Sequence, residues 1–359
     1  MDWKEKIKNI SIRLQTIPLK EKLFFIANLR VMIKAGLSFG EALTTLGMQT
    51  SNKRFRKITE ELNASVEKGE AFSTALARYP KVFSSFLINM VQVGEASGTL
   101  EKNLAEISLQ MKKEHELLSK IRSALAYPIV IMLATIGVGV VMIVYVLPSI
   151  LSIFSETKMA LPLSTRILIA VSNTVTRYGI YLAIGFALLA AAFVSLLRSA
   201  GGRPIFHKIL LKLPILGKIM QKVNLARFSR TLSSLLKTDI QIIKSFQITA
   251  SVVGNLSYRT ALLQTADVLK EGVSITESLK KSPNLFPPLV TQMISVGEKS
   301  GTTDQLLGEL AEFYEAEVDE VTKSLSSIIE PIIIVFLGVV VGGMAIAVIS
   351  PIYSLSDQM

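Results

Sequence analysis

Cysteine is absent from the 359 residues. Disulfides, thiolate-held metals and cysteine nucleophiles are thereby excluded, and the redox compartment is left undetermined. Histidine is nearly absent, with only His115 and His207, too few for an imidazole metal site or a Ser-His-Asp triad. No Gly-rich loop ends in Gly-Lys-Ser/Thr, and neither H-E-x-x-H nor G-x-S-x-G occurs. Strand-like alternation is almost missing. No apolar h-region lies in residues 1–22, MDWKEKIKNISIRLQTIPLKEK, so this stretch reads as a retained N-terminal cytoplasmic segment. The expectation is a chain with no catalytic residue, no metal and no cofactor.

What is present is apolar residues and positive charge. Half of the residues are hydrophobic, and 39 Lys+Arg against 28 Asp+Glu give a net charge of +11. Mean hydropathy is +0.47, and the excess lies in three runs. The first is Pro128 to Leu151, PIVIMLATIGVGVVMIVYVLPSIL, without a charge. A helix from Pro128 to Pro148 would extend about 30 Å, the thickness of the hydrocarbon layer. The second is Ile180 to Leu197, flanked by Arg177 and Arg198, with Tyr178 and Tyr181 where interfacial aromatics belong. The third is Pro331 to Ile352. Buried core helices rarely run uncharged for so long, so these are read as membrane spans. Lys120 and Arg122 precede the first, Arg198, Arg203, Lys208 and Lys212 follow the second, and the tail 352–359 has no basic residue. The positive-inside rule then places the N-terminus inside, the first loop outside, the large middle domain inside and the tail outside.

Self-comparison gives the organisation. Shifted by 203 positions, the chain matches itself without a gap: VGEASGT at 93–99 meets VGEKSGT at 296–302. Pro80 and Phe83 meet Pro283 and Phe286, and Pro128, Gly139 and Pro148 meet Pro331, Gly342 and Pro351. Over residues 69–120, 15 of 52 positions are identical. Each repeat is a polar head followed by an apolar run. Two copies that start on one side and cross in the same direction need a returning span between them, and 180–197 is the candidate.

Within the heads, apolar residues recur at helical spacing, as at Leu23, Ile26, Leu29 and Ile33, and at Leu225, Phe228, Leu232 and Leu235. Gly36 and Gly69 end helical patterns, and Tyr79-Pro80 and Ser282-Pro283 break them. The G-E-x-S-G motif recurs as Gly94, Glu95, Ser97, Gly98 and as Gly297, Glu298, Ser300, Gly301. It reads as a helix-hairpin turn. The first helix is expected to stop near Gly94, Gly98 to take a left-handed turn, and Ser97 or Thr99 to cap the next helix. Glu95 and Glu298 are expected beside that next N-terminus, where a carboxylate is favoured. They act there as structural acids or as contacts for a partner.

Three other features carry weaker readings. Nine Lys/Arg and no Asp/Glu fall between Arg198 and Lys237, which suits a helix on anionic headgroups better than nucleic acid. The acids Glu309, Glu312, Glu315, Glu317, Asp319 and Glu320 read as a solvated helix face with an Asp319–Lys323 pair, the alternative being a divalent-ion site. Glu330 abuts Pro331 at the start of the third run, either exposed at the interface or buried between helices. Gly338 and Gly342 have small-xxx-small spacing, a weak pointer to helix packing.

Together these give an all-α membrane protein with two duplicated cytoplasmic helical bundles and three transmembrane helices. The N-terminal segment is 1–22, the first bundle 23–123, the first span 124–153, the external loop 154–178 and the second span 179–198. A basic juxtamembrane segment 199–222, the second bundle 223–327, the third span 328–352 and an external tail 353–359 follow. Duplicated heads carrying G-E-x-S-G, three spans and Ile329-Glu330-Pro331 leading into the last span resemble the type II secretion system F family. These are the inner-membrane platform proteins of type II secretion, type IV pilus assembly and competence machines. The resemblance runs from about Leu23 to Tyr353. Two features depart from it: a short N-terminal extension, and Tyr127-Pro128 where the second copy has Glu330-Pro331.

The resemblance implies a non-enzymatic scaffold in the cell inner membrane. Implied partners are a hexameric secretion ATPase, pilin or pseudopilin subunits, other inner-membrane assembly proteins, the lipid membrane and further copies of the chain, with no nucleic acid. The motif residues of both copies, with Glu330 and Pro331, are candidate partner contacts. An oligomeric transporter or channel is the alternative, disfavoured because the runs hold almost no polar residue. A soluble helical adaptor is a third reading, and extraction without detergent would distinguish it.

Overall fold

The computed structural model describes residues 15–146, 163–199, 201–213, 216–238 and 240–356. Residues 1–14 of the N-terminal segment, 154–162 of the expected loop and 357–359 of the tail lie outside them. Among the described residues the regular structure is all helical, with no strand. The chain divides into two units. The head unit draws on residues up to Ser119 and on His207–Asp319, and the second on Lys120–Phe206 and the chain from Glu320 onward.

In the head unit the first copy comprises α1 (Leu19–Lys34), α2 (Phe39–Gln49), α3 (Lys53–Glu67), α4 (Phe72–Ala77), α5 (Ser85–Ser97) and the start of α6 (Leu100–Val141). After α7 (Leu163–Arg198), which belongs to the second unit, and α8 (Gly202–Lys212), the second copy follows. It comprises α9 (Leu216–Leu236), α10 (Ile242–Val252), α11 (Leu256–Val268), α12 (Ile275–Lys280), α13 (Pro288–Ser300) and the start of α14 (Thr303–Ser356). The repeat is therefore structural: α10 to α14 each begin 203 residues after α2 to α6.

Local chemistry sets these boundaries. Ser38 and Glu41 form a capping box at the start of α2, and Asn52 and Asn255, equivalent by the shift, cap α3 and α11. Gly69 and Gly272 both adopt φ of 83°, a left-handed turn that glycine enters without a Cβ penalty.

Each head is built on three aromatics packed edge to face or tilted on one another. In the first copy Phe25 lies 5.2 Å from Phe55 and 6.5 Å from Phe83, centroid to centroid. In the second, Phe286 lies 5.4 Å from Phe228 and 5.5 Å from Tyr258. Burying each ring contributes about 2–3 kcal/mol. Tyr258 replaces Phe55, and its hydroxyl donates to the Leu285 carbonyl at 2.7 Å, which a buried phenol requires.

The two copies also pack on each other. Leu235, Ile240 and Ile248 of the second copy complete the core around Leu87, Met90 and Ile107 of the first. Thr238 Oγ1 donates to Met90 Sδ at 3.3 Å, and Gln110 Nε2 donates to Thr231 Oγ1 at 3.0 Å. The α5/α6 face of copy one thus meets the α9/α10 face of copy two.

Burial raises the phenol of Tyr258 above its ordinary value. Tyr314 is pushed up to about 12, by burial and then by Glu317, and Tyr79 to about 12, by burial and then by its bond to Glu61. A folded-state pKa above the unfolded one stabilises the fold below the unfolded value, about 10, and that contribution is lost as pH rises toward the folded value. The chain is expected to melt at a lower temperature at pH 11 than at pH 9. Tyr258→Phe is expected to reduce this drop, as read by circular dichroism in detergent.

In the second unit, α7 and the far parts of α6 and α14 are long and apolar enough to cross a membrane. Ile129, Leu133 and Ile136 on α6, Leu182, Phe186 and Leu189 on α7, and Ile334, Phe336 and Val339 on α14 are exposed. Such surface is costly in water and suited to lipid. The hydroxyls of Thr135 and Thr174 donate to the carbonyls of Ile131 and Ala170, which removes their cost in hydrocarbon. Both α6 and α14 run through their prolines, Pro128 and Pro331. From Leu163 the segment expected as loop is helical, since LSTRILIAVSNTV places apolar residues at helical spacing. Glu330 and Pro331 are both exposed, so the buried position considered for Glu330 does not occur in the isolated chain.

Candidate functional site

The repeated motif occupies the α5–α6 and α13–α14 hairpins. Gly94 is buried within α5, and the helix continues past it to Ser97. This corrects the expected stop near Gly94. A Cβ on Gly94 would lie 2.9 Å from Leu100 Cα and 3.0 Å from Asn103 Nδ2, so the residue permits close approach and does not terminate the helix. Gly297 does the same, 2.8 Å from Thr303 Cα. Asn103 Nδ2 then donates to the Met90 carbonyl at 2.9 Å and ties the hairpin together. Termination falls to Gly98 and Gly301, with φ of 72° and 74°. The hydroxyl of Ser97 donates to Val93 O at 2.7 Å and lies 2.7 Å from Thr99 Oγ1. Ser300 repeats this with Val296 and Thr302.

The acids hold a different helix from the one expected. Glu95 Oε1 accepts the N–H of Phe72 at 2.6 Å and Oε2 that of Ser73 at 3.0 Å. These are the first amides of α4, whose N-cap Ala71 makes no side-chain cap. Glu298 accepts the N–H of Ile275 at 2.6 Å and of Thr276 at 3.1 Å, together with the Thr276 hydroxyl. Each carboxylate thus satisfies the orphan donors of a six-residue helix and opposes its positive end. The physical reason is the packing of α5 back along α4, which brings Glu95 to the first amides of α4 and leaves the next N-terminus to its own turn. Glu95→Ala is expected to cost about 1–2 kcal/mol, the scale of a lost cap. Glu95→Gln should recover part of it, and thermal melting of the detergent-solubilised chain checks both.

A second cluster joins the copies. Arg227 Nε and Nη2 donate to the two oxygens of Glu114 at 3.0 and 2.5 Å. Within copy two Arg230 makes a like two-point contact with Glu315 at 2.8 and 3.0 Å, and Lys113 of copy one lies 3.2 Å from the same carboxylate. Glu317 binds Lys222. These cations occupy two of the acids proposed as metal ligands, and no group of three His, Cys, Asp or Glu among the described residues is placed to hold a metal. Sequence reasoning did not find this cluster. In the sequence Arg227 and Arg230 fall in the basic run that suits lipid headgroups, although both project from a helix whose other faces are buried.

Comparison with known proteins agrees with this architecture. The family model for type II secretion system protein F matches residues 25–148 and 228–351, two matches that begin 203 residues apart. The type IV pilus assembly protein PilC of Thermus thermophilus is 36% identical over 338 residues, 94% of this chain and 83% of that protein. PilC of Pseudomonas aeruginosa is 29% identical, covering 93% of this chain and 89% of the relative. Type II secretion system protein F of the same organism is 29% identical over 92% and 81%. With its duplicated heads, each leading into an apolar helix, the chain belongs to the type II secretion system protein F family.

Proposed function

We propose that this chain is a non-enzymatic platform protein of the cell inner membrane. It couples a cytoplasmic secretion ATPase to the assembly of pilin or pseudopilin subunits into a filament. The observation that carries the reading is the family match in both copies, with relatives named for type IV pilus assembly and type II secretion. The helices α6 and α14 support it, since each begins in a head and continues without a break into an apolar stretch. Displacement of a head by a motor has a continuous covalent route along them, helical on both sides of Pro128 and Pro331.

In this reading both heads and the N-terminus are cytoplasmic and the tail is external. The basic helix α8 rests on anionic headgroups, and the motif hairpins, with Glu330 and Pro331, lie where partners bind. Deleting the gene should abolish filaments while the ATPase and pilin still accumulate, and the full chain in detergent should retain the ATPase on an affinity column. Filaments that persist without the chain, or ATP hydrolysis by the purified chain alone, would overturn the reading.

A further inference from the structure

The helix α3 opens against its own electrostatics. Its first residues read Lys53-Arg54-Phe55-Arg56-Lys57, with no acid in the first turn, although cations are disfavoured at the positive end of a helix dipole. Lys53, Arg56 and Lys57 are exposed. Lys53 and Lys57 meet no carboxylate among the described residues. The 203-residue shift takes Lys53, Arg54 and Lys57 to Leu256, Ser257 and Thr260, so the second copy builds the same helix without these charges.

The N-terminal chain arrives at this patch. Asn52 Nδ2 donates to the Thr16 carbonyl at 3.1 Å, and Arg54 Nη1 donates to the Gln15 carbonyl at 2.8 Å. The start of α3 therefore holds the end of a segment that reads MDWKEKIKNISIRL. Trp3, Ile7, Ile10 and Leu14 have the i, i+4, i+7, i+11 spacing of one helical face, and Lys4, Lys6, Lys8 and Arg13 fall outside it. An aromatic and aliphatic stripe flanked by cations is the pattern of a helix lying in a headgroup layer. The repeat supplies a parallel. Trp3, Ile7 and Ile10 shift onto Phe206, Leu210 and Leu213, in or just after the basic helix α8. There Ile209 and Leu213 are 54% and 41% exposed.

We propose that residues 3–14 and the start of α3 together bind an anionic lipid surface. The stripe of Trp3, Ile7, Ile10 and Leu14 enters the acyl boundary, and Lys4, Lys8, Lys53 and Lys57 meet phosphate headgroups. A lipid surface satisfies the apolar stripe and the cations at once. It also explains why positive charge collects at the wrong end of α3, where the chain emerges, in the first copy alone. The first head then has an interfacial segment at its beginning and an apolar helix at its end. The proposal depends neither on the platform role nor on where α8 rests.

The test uses Trp3, the only tryptophan in the chain. The full chain is reconstituted in vesicles of phosphatidylethanolamine and phosphatidylglycerol, with and without bromine on the acyl chains. Bromine is expected to lower Trp3 fluorescence at least threefold. Reversing four charges, with Lys4→Glu, Lys8→Glu, Lys53→Glu and Lys57→Glu combined, should remove most of that quenching while the circular dichroism melt keeps its shape. Wild-type chain in phosphatidylcholine alone gives the same contrast without any substitution, and its Trp3 should also be quenched less. Trp3 that escapes bromine but is quenched by aqueous acrylamide stands in water, and Trp3 shielded from both is held by protein. Either result would overturn the proposal. So would bromine quenching that is equal in all lipids and survives charge reversal, since headgroup charge would then play no part.

Discussion

Replacing Glu315 by alanine is expected to lower the stability of the head by about 3–5 kcal/mol, the scale on which one partner of a buried ion pair is lost. The Arg230 side chain is 8% exposed and that of Glu315 16%, so water cannot re-solvate the guanidinium once its carboxylate is gone. Lys113, whose Nζ lies 3.2 Å from the Glu315 carboxylate, would be left beside Arg230 as a second cation. Glu312 lies 4.0 Å from Arg230 but is 72% exposed, too solvated to substitute. The effect should appear in the thermal melt of the detergent-solubilised chain. Combining Glu315→Leu with Arg230→Met should recover most of it, because removing both charges also removes the desolvation cost. A single substitution costing under about 1 kcal/mol would place the pair in the class of surface ion pairs.

Gly94→Ala is expected to cost about 1–3 kcal/mol, the scale of overpacking. The added methyl would meet the backbone of Leu100 at 2.9 Å, and α5 and α6 must separate to admit it. Gly297→Ala should behave alike, since Thr303 Cα lies at 2.8 Å. Gly98→Ala gives the contrast. It meets open space, and only the left-handed backbone resists it, at about 1–2 kcal/mol. The expected order of melting temperatures is wild type, then Gly98→Ala, then Gly94→Ala. Reversal of the last two would show that the turn, and not the close approach, is the demanding element.

The architecture was legible because duplication and membrane spans write themselves in long patterns. A gapless self-match at a shift of 203 positions and uncharged runs of about 20 residues do not depend on any single position. The motif was legible as a hairpin but not in its detail. Gly94 looked like a terminator because glycine is commonest there, whereas its role depends on Leu100 and Asn103, which pack against it only in three dimensions. Glu95 was assigned to the following helix by proximity in sequence. Its true partners, Phe72 and Ser73, lie 23 and 22 residues earlier, and the one local clue was Ala71, a poor cap before a helix. The cluster at Arg227 and Arg230 escaped for a related reason. A run of basic residues beside an apolar stretch has one character in sequence, while its helix divides it between solvent and the neighbouring copy.

The remote caps have a dynamic consequence. A helix of six residues cannot sustain itself, since the cost of its nucleus is not recovered by so few bonds. With its first amides held by a side chain from α5, α4 loses its independent fraying. Hydrogen exchange at Phe72 and Ser73 therefore waits on the opening of the hairpin, and the two segments exchange as one cooperative block.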